Sequence, residues 1–315
     1  MNRRAIILGI KGTKLNINEK KLFKKFKPWG IILFSRNVKN IQQLKNLVDD
    51  IKSLFNDNKF PILIDEEGGR ITRLNKIINL KFFSANFFSN LFKKDKKLFH
   101  VVYNIYINTI SSILKNVGIN INTVPVLDVR RKNAHKIIGD RSFSENPATV
   151  IKLGKLCINF YNENKIATVV KHIPGHGLSK VDSHMLTPVI KASKKELFRK
   201  DFSTFKSCKS LFAMTAHAIY SHLDMNNTAT HSKIIIKKII RSHIKFKGIL
   251  ISDDLSMKSL KFKLEENAVK ALKAGCNLVL HCNGNIKEMN KLSKVIPKID
   301  KFTQKKTSHF YKFLG

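Results

Sequence analysis

Hydrophobic residues occur along the chain in eight short runs, and a longer stretch with helical periodicity follows most of them. The runs are residues 5–9, 30–34, 60–65, 122–128, 166–172, 211–217, 248–254 and 277–282. Each run is too short for a helix and too continuous for a strand with one exposed face. This pattern is typical of buried parallel strands, so we predict eight of them.

The amphipathic stretches between the runs predict helices. They are residues 41–55, 95–117, 147–164, 194–206, 232–244 and 264–274. Gly118 and Gly275 directly follow two of these stretches, as glycine often does just past a helix end, and Pro147 begins another. The lysine-rich stretch 285–315 is weakly patterned and predicts a closing helix with a frayed end.

Strands that alternate with helices predict a single-domain (β/α)8 barrel of the TIM type that spans residues 1–315. The alternative is an open, doubly wound sheet. Polar residues end several runs, which favours the barrel, because barrel enzymes take catalytic groups from the C-terminal ends of different strands. These polar residues are Asp65, Asp128, Lys171, His172, His217, Asp253 and Asp254.

The chain has 59 Lys and Arg against 22 Asp and Glu, a formal net charge of +37. Such an excess favours nucleic acid or an anionic membrane surface as partner. The lysines are spread along the whole chain, however, and they rise together with Asn and Ile, as AT-rich codon usage would produce. We therefore expect no specific nucleic acid partner and no membrane partner. A basic nucleic-acid-binding protein without catalysis remains the alternative from a different class.

The cysteines and the N-terminus indicate a cytoplasmic protein, which we expect to be a monomer. The four cysteines include no C-x-x-C pair, so neither a zinc ribbon nor a redox pair is indicated. The apolar run near the N-terminus is too short for a signal peptide. No window approaches the ~20 apolar residues of a membrane span.

Residues 171–184 read KHIPGHGLSKVDSH, and their Pro and Gly residues exclude a regular helix. Asp182 lies two residues before His184, where its carboxylate can accept a hydrogen bond from the imidazole and fix its tautomer. The alternative for this pair is a solvated loop. His172 and His176 have the spacing of a helical zinc pair, but the intervening Pro and Gly disfavour that geometry, and we expect no metal.

Two adjacent carboxylates, Asp253 and Asp254, end the seventh run. Neighbouring side chains in an extended segment point to opposite faces, so we expect one of them to face the barrel mouth and the other to serve structure. The alternative is that the pair caps the following helix.

Arginines follow the third and fourth runs. Arg73 belongs to DEEGGRITR (65–73) and Arg141 to IGDRSF (138–143), and each could donate a planar fork to an oxygen-rich ligand. The alternative is an ordinary turn with a surface ion pair. Arg36, His217 and His222 are more often structural residues. Together the groups at the strand ends could hold a neutral, hydroxyl-rich ligand.

Seven motifs now carry a resemblance. They are ILFSRN (32–37), IDEEGGRITR (64–73), VPVLDV (124–129), IGDRSF (138–143), KHIPGHG with DSH (171–184), AH-x-IY (216–220) and ISDDLSM (251–257). In this order, over roughly residues 30–283, they resemble family 3 glycoside hydrolases. The KHxPGHG-x4-DSH combination is similar to the β-N-acetylhexosaminidase branch of that family, and in particular to bacterial single-domain members that act in cell-wall recycling.

The resemblance implies a retaining enzyme that removes terminal, non-reducing β-linked N-acetylglucosamine from muropeptides that carry it on anhydro-N-acetylmuramic acid. It also implies the residue roles. Asp253 matches the nucleophile, His184 the general acid/base and Asp182 its partner. The positions that match contacts to the sugar are Asp65, Arg73, Arg141, Lys171 and His172. No cofactor or metal is expected.

Two further expectations concern mechanism. A histidine acid/base carries no negative charge to repel phosphate, so an N-acetylglucosaminide phosphorylase on the same scaffold remains an alternative. Because His184 lies on a glycine-rich loop, we expect the loop to close over bound substrate. The chain departs from the family pattern at Ile173, Glu66 and Thr215, and none of these is expected to carry the chemistry.

Overall fold

The computed structural model describes residues 2–132, 134–179, 181–183 and 185–315. Eight parallel strands close into a barrel: β1 (Arg4–Gly9), β2 (Pro28–Leu33), β3 (Ile62–Ile64), β4 (Ile121–Asn122), β5 (Ala167–Ile173), β7 (Phe212–Thr215), β10 (Ile249–Asp254) and β11 (Leu278–His281). They lie side by side in chain order, and β11 pairs with β1 to complete the circle. The predicted barrel is confirmed, and the open sheet is wrong.

A second, smaller sheet was not predicted. It contains β6 (Val189–Ile190), β8 (Ile219–Tyr220) and β9 (Asp224–Thr228), in the order β6, β8, β9. Little in the sequence indicates this sheet, because β6 and β8 are only two residues long and β9 reads DMNNT, which is largely polar.

Helices surround the barrel. They are α1 (Ile17–Phe26), α2 (Ile41–Phe55), α3 (Ala85–Lys94), α4 (Lys96–Val117), α5 (Pro147–Glu163), α6 (Lys194–Arg199), α7 (Asp201–Ser207), α8 (Leu264–Ala274), α9 (Ile286–Val295) and α10 (Lys301–Leu314). Residues Ile235–His243 form a π-helix, and Ser35–Asn37 and Gly139–Arg141 are single 3₁₀ turns. Among the described residues, no helix is both long and apolar enough to cross a membrane.

Two predicted helices are divided in the structure. The predicted helix 194–206 breaks at Lys200 into α6 and α7, and the break brings the buried Asp201 to 2.7 Å from Arg131. The closing stretch forms two helices, because Pro297 follows α9 and cannot continue it, while its carbonyl accepts a hydrogen bond from the amide of Ala5.

Two helices, α1 and α3, were not predicted from the sequence. Asn16 and Glu19 form a reciprocal capping box at the start of α1, and Ser84 caps α3. An Asn three residues before a Glu is a known helix-start signal, so the first of these helices could have been found.

The N-terminal end of the barrel is closed by α10. The Trp29 ring packs against Phe212 and Phe310, and its Nε1 donates a hydrogen bond to Thr307 Oγ1 at 2.9 Å. Aromatic burial of this kind dominates core energetics. The opposite, C-terminal end carries the polar residues that end the strands.

The strand pairing is irregular at two places on that C-terminal end. The register between β5 and β7 shifts between Lys171 and Ile173, and the register between β10 and β11 shifts between Ile251 and Asp254. Bulges of this kind bend a strand and re-aim its side chains, and they are common beside active sites.

Candidate active site

The C-terminal end of the barrel contains a cavity of about 690 Å³, part of which is open to solvent. This volume is in the usual range for small-molecule sites. Its polar lining residues are Asp65, Arg73, Thr123, Arg141, Lys171, His172, His176, Ser183, Asp253 and Asp254, and apolar side chains such as Phe34, Met214 and Leu280 complete the wall. The structure therefore brings together every described residue that was predicted to contact sugar.

Asp65, just past the end of β3, is held by three partners. Its carboxylate accepts hydrogen bonds from Lys171 Nζ, from Thr123 Oγ1 at 2.5 Å and from Arg73 Nη2 at 2.8 Å. Burial alone would raise the pKa of Asp65, but the charges of Lys171 and Arg73 outweigh it and hold the pKa well below its usual range. Asp65 is thus ionised and fixed in one orientation.

Glu67 is a site residue that the sequence analysis did not single out. Its carboxylate binds Arg141 through two hydrogen bonds of 2.7 and 2.8 Å and lies 2.6 Å from Lys171 Nζ. Although burial opposes ionisation, Arg141 and Lys171 lower the pKa of Glu67. Glu67 could have been predicted from the sequence, because residues two apart in an extended segment share a face, and Glu67 lies two residues after Asp65. We call Asp65, Glu67, Arg73, Arg141 and Lys171 the charged floor.

The adjacent Glu66 points away from the charged floor and organises the loop that carries Arg73. It accepts hydrogen bonds from the amides of Arg73 and Leu74 at 2.6 and 2.9 Å, and from Gly68 N and Thr72 Oγ1 at 3.1 Å. No cationic side chain among the described residues is in direct contact with Glu66, and its burial raises its pKa to about 7. Glu66 therefore has a structural role in this loop, and its lack of any part in the chemistry stays a prediction.

Asp128, beyond the end of β4, orients two histidines. Its carboxylate lies 2.7 Å from His172 Nδ1 and accepts the backbone N–H of His176 at 2.6 Å. Burial opposes ionisation, but the neighbouring His172 lowers the pKa of Asp128. Because the carboxylate engages Nδ1, the other nitrogen of His172 is left for the cavity. Asp128 was predicted from the sequence only as a polar strand end, without a role in the site.

Asp253 and Asp254 both line the cavity, so the prediction that only one faces the mouth is wrong. The register shift in β10 explains the difference, because strict alternation fails at a bulge. Asp254 accepts hydrogen bonds from Ser256 Oγ at 2.6 Å and from the amide of Cys282 at 3.1 Å. The helix-cap alternative is also wrong, because α8 begins ten residues later, at Leu264.

Asp253 interacts electrostatically with two histidines of the site, His172 and His217. Burial would raise its pKa, but His172, His217 and Lys171 outweigh this effect and lower it. His217 itself is nearly fully buried and lies 2.7 Å from Thr230 Oγ1 and 3.0 Å from the carbonyl of Asp254. The structural role expected for His217 is thus consistent with its contacts.

The remaining low-priority residues also have structural surroundings. Arg36 donates hydrogen bonds to the carbonyls of Ile10 and Cys282, and His222 is exposed. Arg36 thus joins two loops and His222 faces solvent, and neither residue lines the cavity.

The predicted proton-transfer pair lies on the loop after β5. Asp182 is half-buried, and the neighbouring Ser183 is buried and lines the cavity. His184, the predicted general acid/base, lies outside the described residues. Among the described residues, no group of three His, Cys, Asp or Glu side chains is arranged to hold a metal ion.

The arrangement can hold a polyhydroxylated ligand and attack it. Paired charges at the strand ends offer fixed donors and acceptors for hydroxyl groups, and an ionised Asp253 faces the same cavity. Most retaining glycoside hydrolases use such a carboxylate as the nucleophile. Fold and site together are those of a barrel enzyme that acts on sugars.

Comparison with known proteins makes the assignment specific. Residues 5–309 match the family described as Glycosyl hydrolase family 3 N terminal domain, and the chain belongs to this family. A beta-hexosaminidase of Psychromonas ingrahamii is 34% identical over 286 residues, which are 89% of this chain and 83% of that protein. A beta-hexosaminidase of Haemophilus influenzae is 32% identical over 289 residues, covering 89% and 79% of the two chains.

Solved structures agree with this assignment. NagZ from Neisseria gonorrhoeae, in complex with N-trifluoroacetyl-D-glucosamine, superimposes with a TM-score of 0.87 at 30% identity and covers 98% of this chain and 90% of its own. The beta-N-acetylglucosaminidase from Thermotoga maritima has a TM-score of 0.74 at 25% identity and covers 98% and 66%. The resemblance inferred from the seven motifs is confirmed at the level of the family.

Proposed function

We propose that this protein is an exo-acting β-N-acetylglucosaminidase that removes terminal N-acetylglucosamine with retention of configuration. The curated relatives are beta-hexosaminidases, and one solved relative holds an N-acylated glucosamine. They support a glycoside hydrolase of the β-N-acetylhexosaminidase class. The observation that carries the proposal is Asp253, an ionised carboxylate at the end of β10 that faces a cavity with a charged floor.

In this proposal Asp253 attacks the anomeric carbon and forms a covalent glycosyl-enzyme. His172, His217 and Lys171 keep its carboxylate ionised. An ionised carboxylate is the nucleophilic form, so attack needs no prior proton transfer from Asp253. Water then releases the sugar, and two inversions give overall retention.

His184 is proposed to protonate the departing oxygen and then to activate the water. Asp182 would hold the imidazole in the correct tautomer and stabilise its cationic form, as the buried aspartate does in the serine-protease triad. The support in the structure is the neighbouring Ser183, which lines the same cavity as Asp253. The loop would close over the substrate and complete the site.

Asp65, Arg73, Arg141, Lys171 and His172 are proposed to contact the sugar. All five line the cavity, and four of them belong to the charged floor. Their ion pairs hold each group in place before substrate arrives, so little side-chain entropy is lost on binding. A charge-assisted hydrogen bond to a hydroxyl is roughly twice as strong as a neutral one.

We further propose that the natural substrate is a muropeptide with N-acetylglucosamine on anhydro-N-acetylmuramic acid, processed during cell-wall recycling. A monomer in the cytoplasm, formed by one catalytic domain over residues 1–315, would perform this reaction. The beta-hexosaminidase relatives and the NagZ structure support an enzyme that acts on N-acetylglucosamine, and the muropeptide substrate is what the resemblance of the KHIPGHG and DSH motifs implies.

A mechanism-based label tests the proposal directly. The protein is incubated with a 2-deoxy-2-fluoro or 5-fluoro glycosyl donor, and the modified peptide is mapped by mass spectrometry. The label is expected on Asp253, with no label on the matched variant Asp253→Asn. A label on any other side chain contradicts the mechanism. Product analysis with and without phosphate separates hydrolysis from a phosphorylase reaction, since only the phosphorylase gives a glycosyl phosphate.

A further inference from the structure

His176 lies on backbone that is packed firmly against the barrel. Asp128 accepts its backbone N–H at 2.6 Å, and the preceding carbonyl, that of Gly175, accepts a hydrogen bond from the buried Tyr220 hydroxyl. A Cβ atom at Gly177 would lie only 1.9 Å from the carbonyl oxygen of Val129, so no other residue fits there. The backbone on both sides of His176 is thus fixed by the fold.

The His176 ring reaches from this fixed backbone to the loop that carries the proposed proton-transfer residues. Its Nε2 lies 3.1 Å from Ser183 Oγ, and both side chains are nearly fully buried at 3% and 4% exposure. Burial, aided by the neighbouring His172 and only partly opposed by Asp128 and Asp253, lowers the pKa of His176 to about 4. The ring is therefore neutral at neutral pH, and its bond to Ser183 joins two uncharged groups.

A serine beside a histidine also fits the nucleophile and base of acyl transfer. The surroundings of His176 argue against that role. A catalytic histidine is oriented through its second nitrogen by a third group, whereas His176 Nδ1 is buried without a hydrogen-bond partner among the described residues. A ring with a pKa of about 4 is also a weak base at neutral pH.

We propose that His176 is a positioning residue that docks the loop through Ser183, the residue between Asp182 and His184, and so keeps Asp182 close to the sugar site. This inference rests on the proposed function. Ser183 is bonded covalently to both of these residues, and consecutive Cα atoms are about 3.8 Å apart. Attachment of Ser183 to the barrel therefore limits how far Asp182 can move from the cavity.

The test separates proton transfer from general damage by the choice of leaving group. Ser183→Ala removes the hydroxyl, and Ser183→Thr retains it. A dinitrophenyl N-acetylglucosaminide needs no protonation of its leaving group, whereas the β-linked disaccharide of N-acetylglucosamine does. We expect Ser183→Ala to lower kcat/KM about 30-fold or more on the disaccharide and less than about threefold on the dinitrophenyl substrate. Ser183→Thr is expected to recover most of the loss.

A double-mutant cycle tests whether the two residues act through each other. His176→Phe is expected to reproduce the leaving-group dependence of Ser183→Ala, and the double variant should be no worse than about twofold beyond either single one, since both remove one interaction. The exposed Leu186 on the same loop supplies the control Leu186→Ala, which should match the unmodified protein on both substrates.

Two outcomes overturn the inference. One is an equal loss on both substrates for Ser183→Ala, which indicates only a structural role. The other is a double variant whose loss is the product of the two single losses. If the unmodified protein releases no sugar from either substrate, the proposed function fails instead, and the two failures are thereby distinguished.

Discussion

The charged floor and the loop above it are held in different ways. In the charged floor, each buried carboxylate has two or three charged or hydrogen-bonding partners contributed by several strand ends. The loop is attached through backbone turns and through the neutral His176–Ser183 bond. A neutral hydrogen bond contributes about 1 kcal/mol net, whereas breaking a buried ion pair costs about 3–5 kcal/mol. The sugar-binding groups are therefore held by strong buried ion pairs, whereas the contact of Ser183 with the barrel is a weaker, neutral hydrogen bond.

The largest expected effect comes from the nucleophile above the charged floor. Asp253→Asn removes the charge but nearly keeps the shape, and we expect kcat to fall at least about 10⁴-fold. Turnover of an aryl N-acetylglucosaminide measures this, with circular dichroism as the control for folding. A loss smaller than about 100-fold would be incompatible with a nucleophilic role for Asp253.

Removal of a cation from the charged floor should chiefly affect stability. Lys171→Met leaves two buried carboxylates, Asp65 and Glu67, without a shared partner, so we expect the free energy of unfolding to fall by about 3–5 kcal/mol. Urea denaturation provides the measurement. The exposed Lys261 gives the control Lys261→Met, for which a change below about 0.5 kcal/mol is expected. Equal effects of the two substitutions would mean that the ion pairs do not fix the site.

The corresponding change on the loop should chiefly affect turnover. Asp182→Ala is expected to lower kcat about 100-fold and to leave thermal unfolding nearly unchanged, because Asp182 is only half-buried. Steady-state kinetics measure kcat, and a melting curve measures thermal unfolding. Activity within about threefold of the unmodified protein would show that the role assigned to Asp182 is wrong.

The smallest expected effect distinguishes the neighbours Glu66 and Glu67. Burial raises the pKa of Glu66 to about 7, above its value of about 4.5 in the unfolded chain, so the folded state binds the proton more tightly. The protonated form of Glu66 therefore stabilises the folded state. This stabilisation is fully present below about pH 4.5 and is lost as the pH rises through about 7. Glu67, whose pKa is lowered, acts in the opposite direction, and its stabilisation is lost as the pH falls.

The variant Glu66→Gln isolates this effect because it cannot titrate. The melting temperature of the unmodified protein should fall relative to that of the variant between pH 5 and pH 8. Thermal unfolding in matched buffers measures the difference. A gap that stays constant over this range would indicate that Glu66 is already ionised at pH 5, through the four hydrogen bonds that it accepts.

The sequence predicted the barrel well, because eight buried strands produce eight apolar runs that no other element explains. It also located the polar strand ends, including Asp65, Lys171 and Asp253. It could not show which adjacent carboxylate serves which purpose. Glu66 and Glu67 differ in partners that lie far away in the sequence, such as Arg141, and the bulge in β10 overrides the alternation from which the roles of Asp253 and Asp254 were inferred.

The pairing of β11 with β1, together with the contact of α10 with Trp29, has a consequence for biosynthesis. The barrel cannot close until residues near position 281 have left the ribosome, because β1 pairs with β11, the last strand to be synthesised. Partly synthesised chains therefore expose two unpaired strand edges, which favour aggregation. The dispersed lysines give the nascent chain a high positive charge, and mutual repulsion between such chains should keep them apart until the ring is complete.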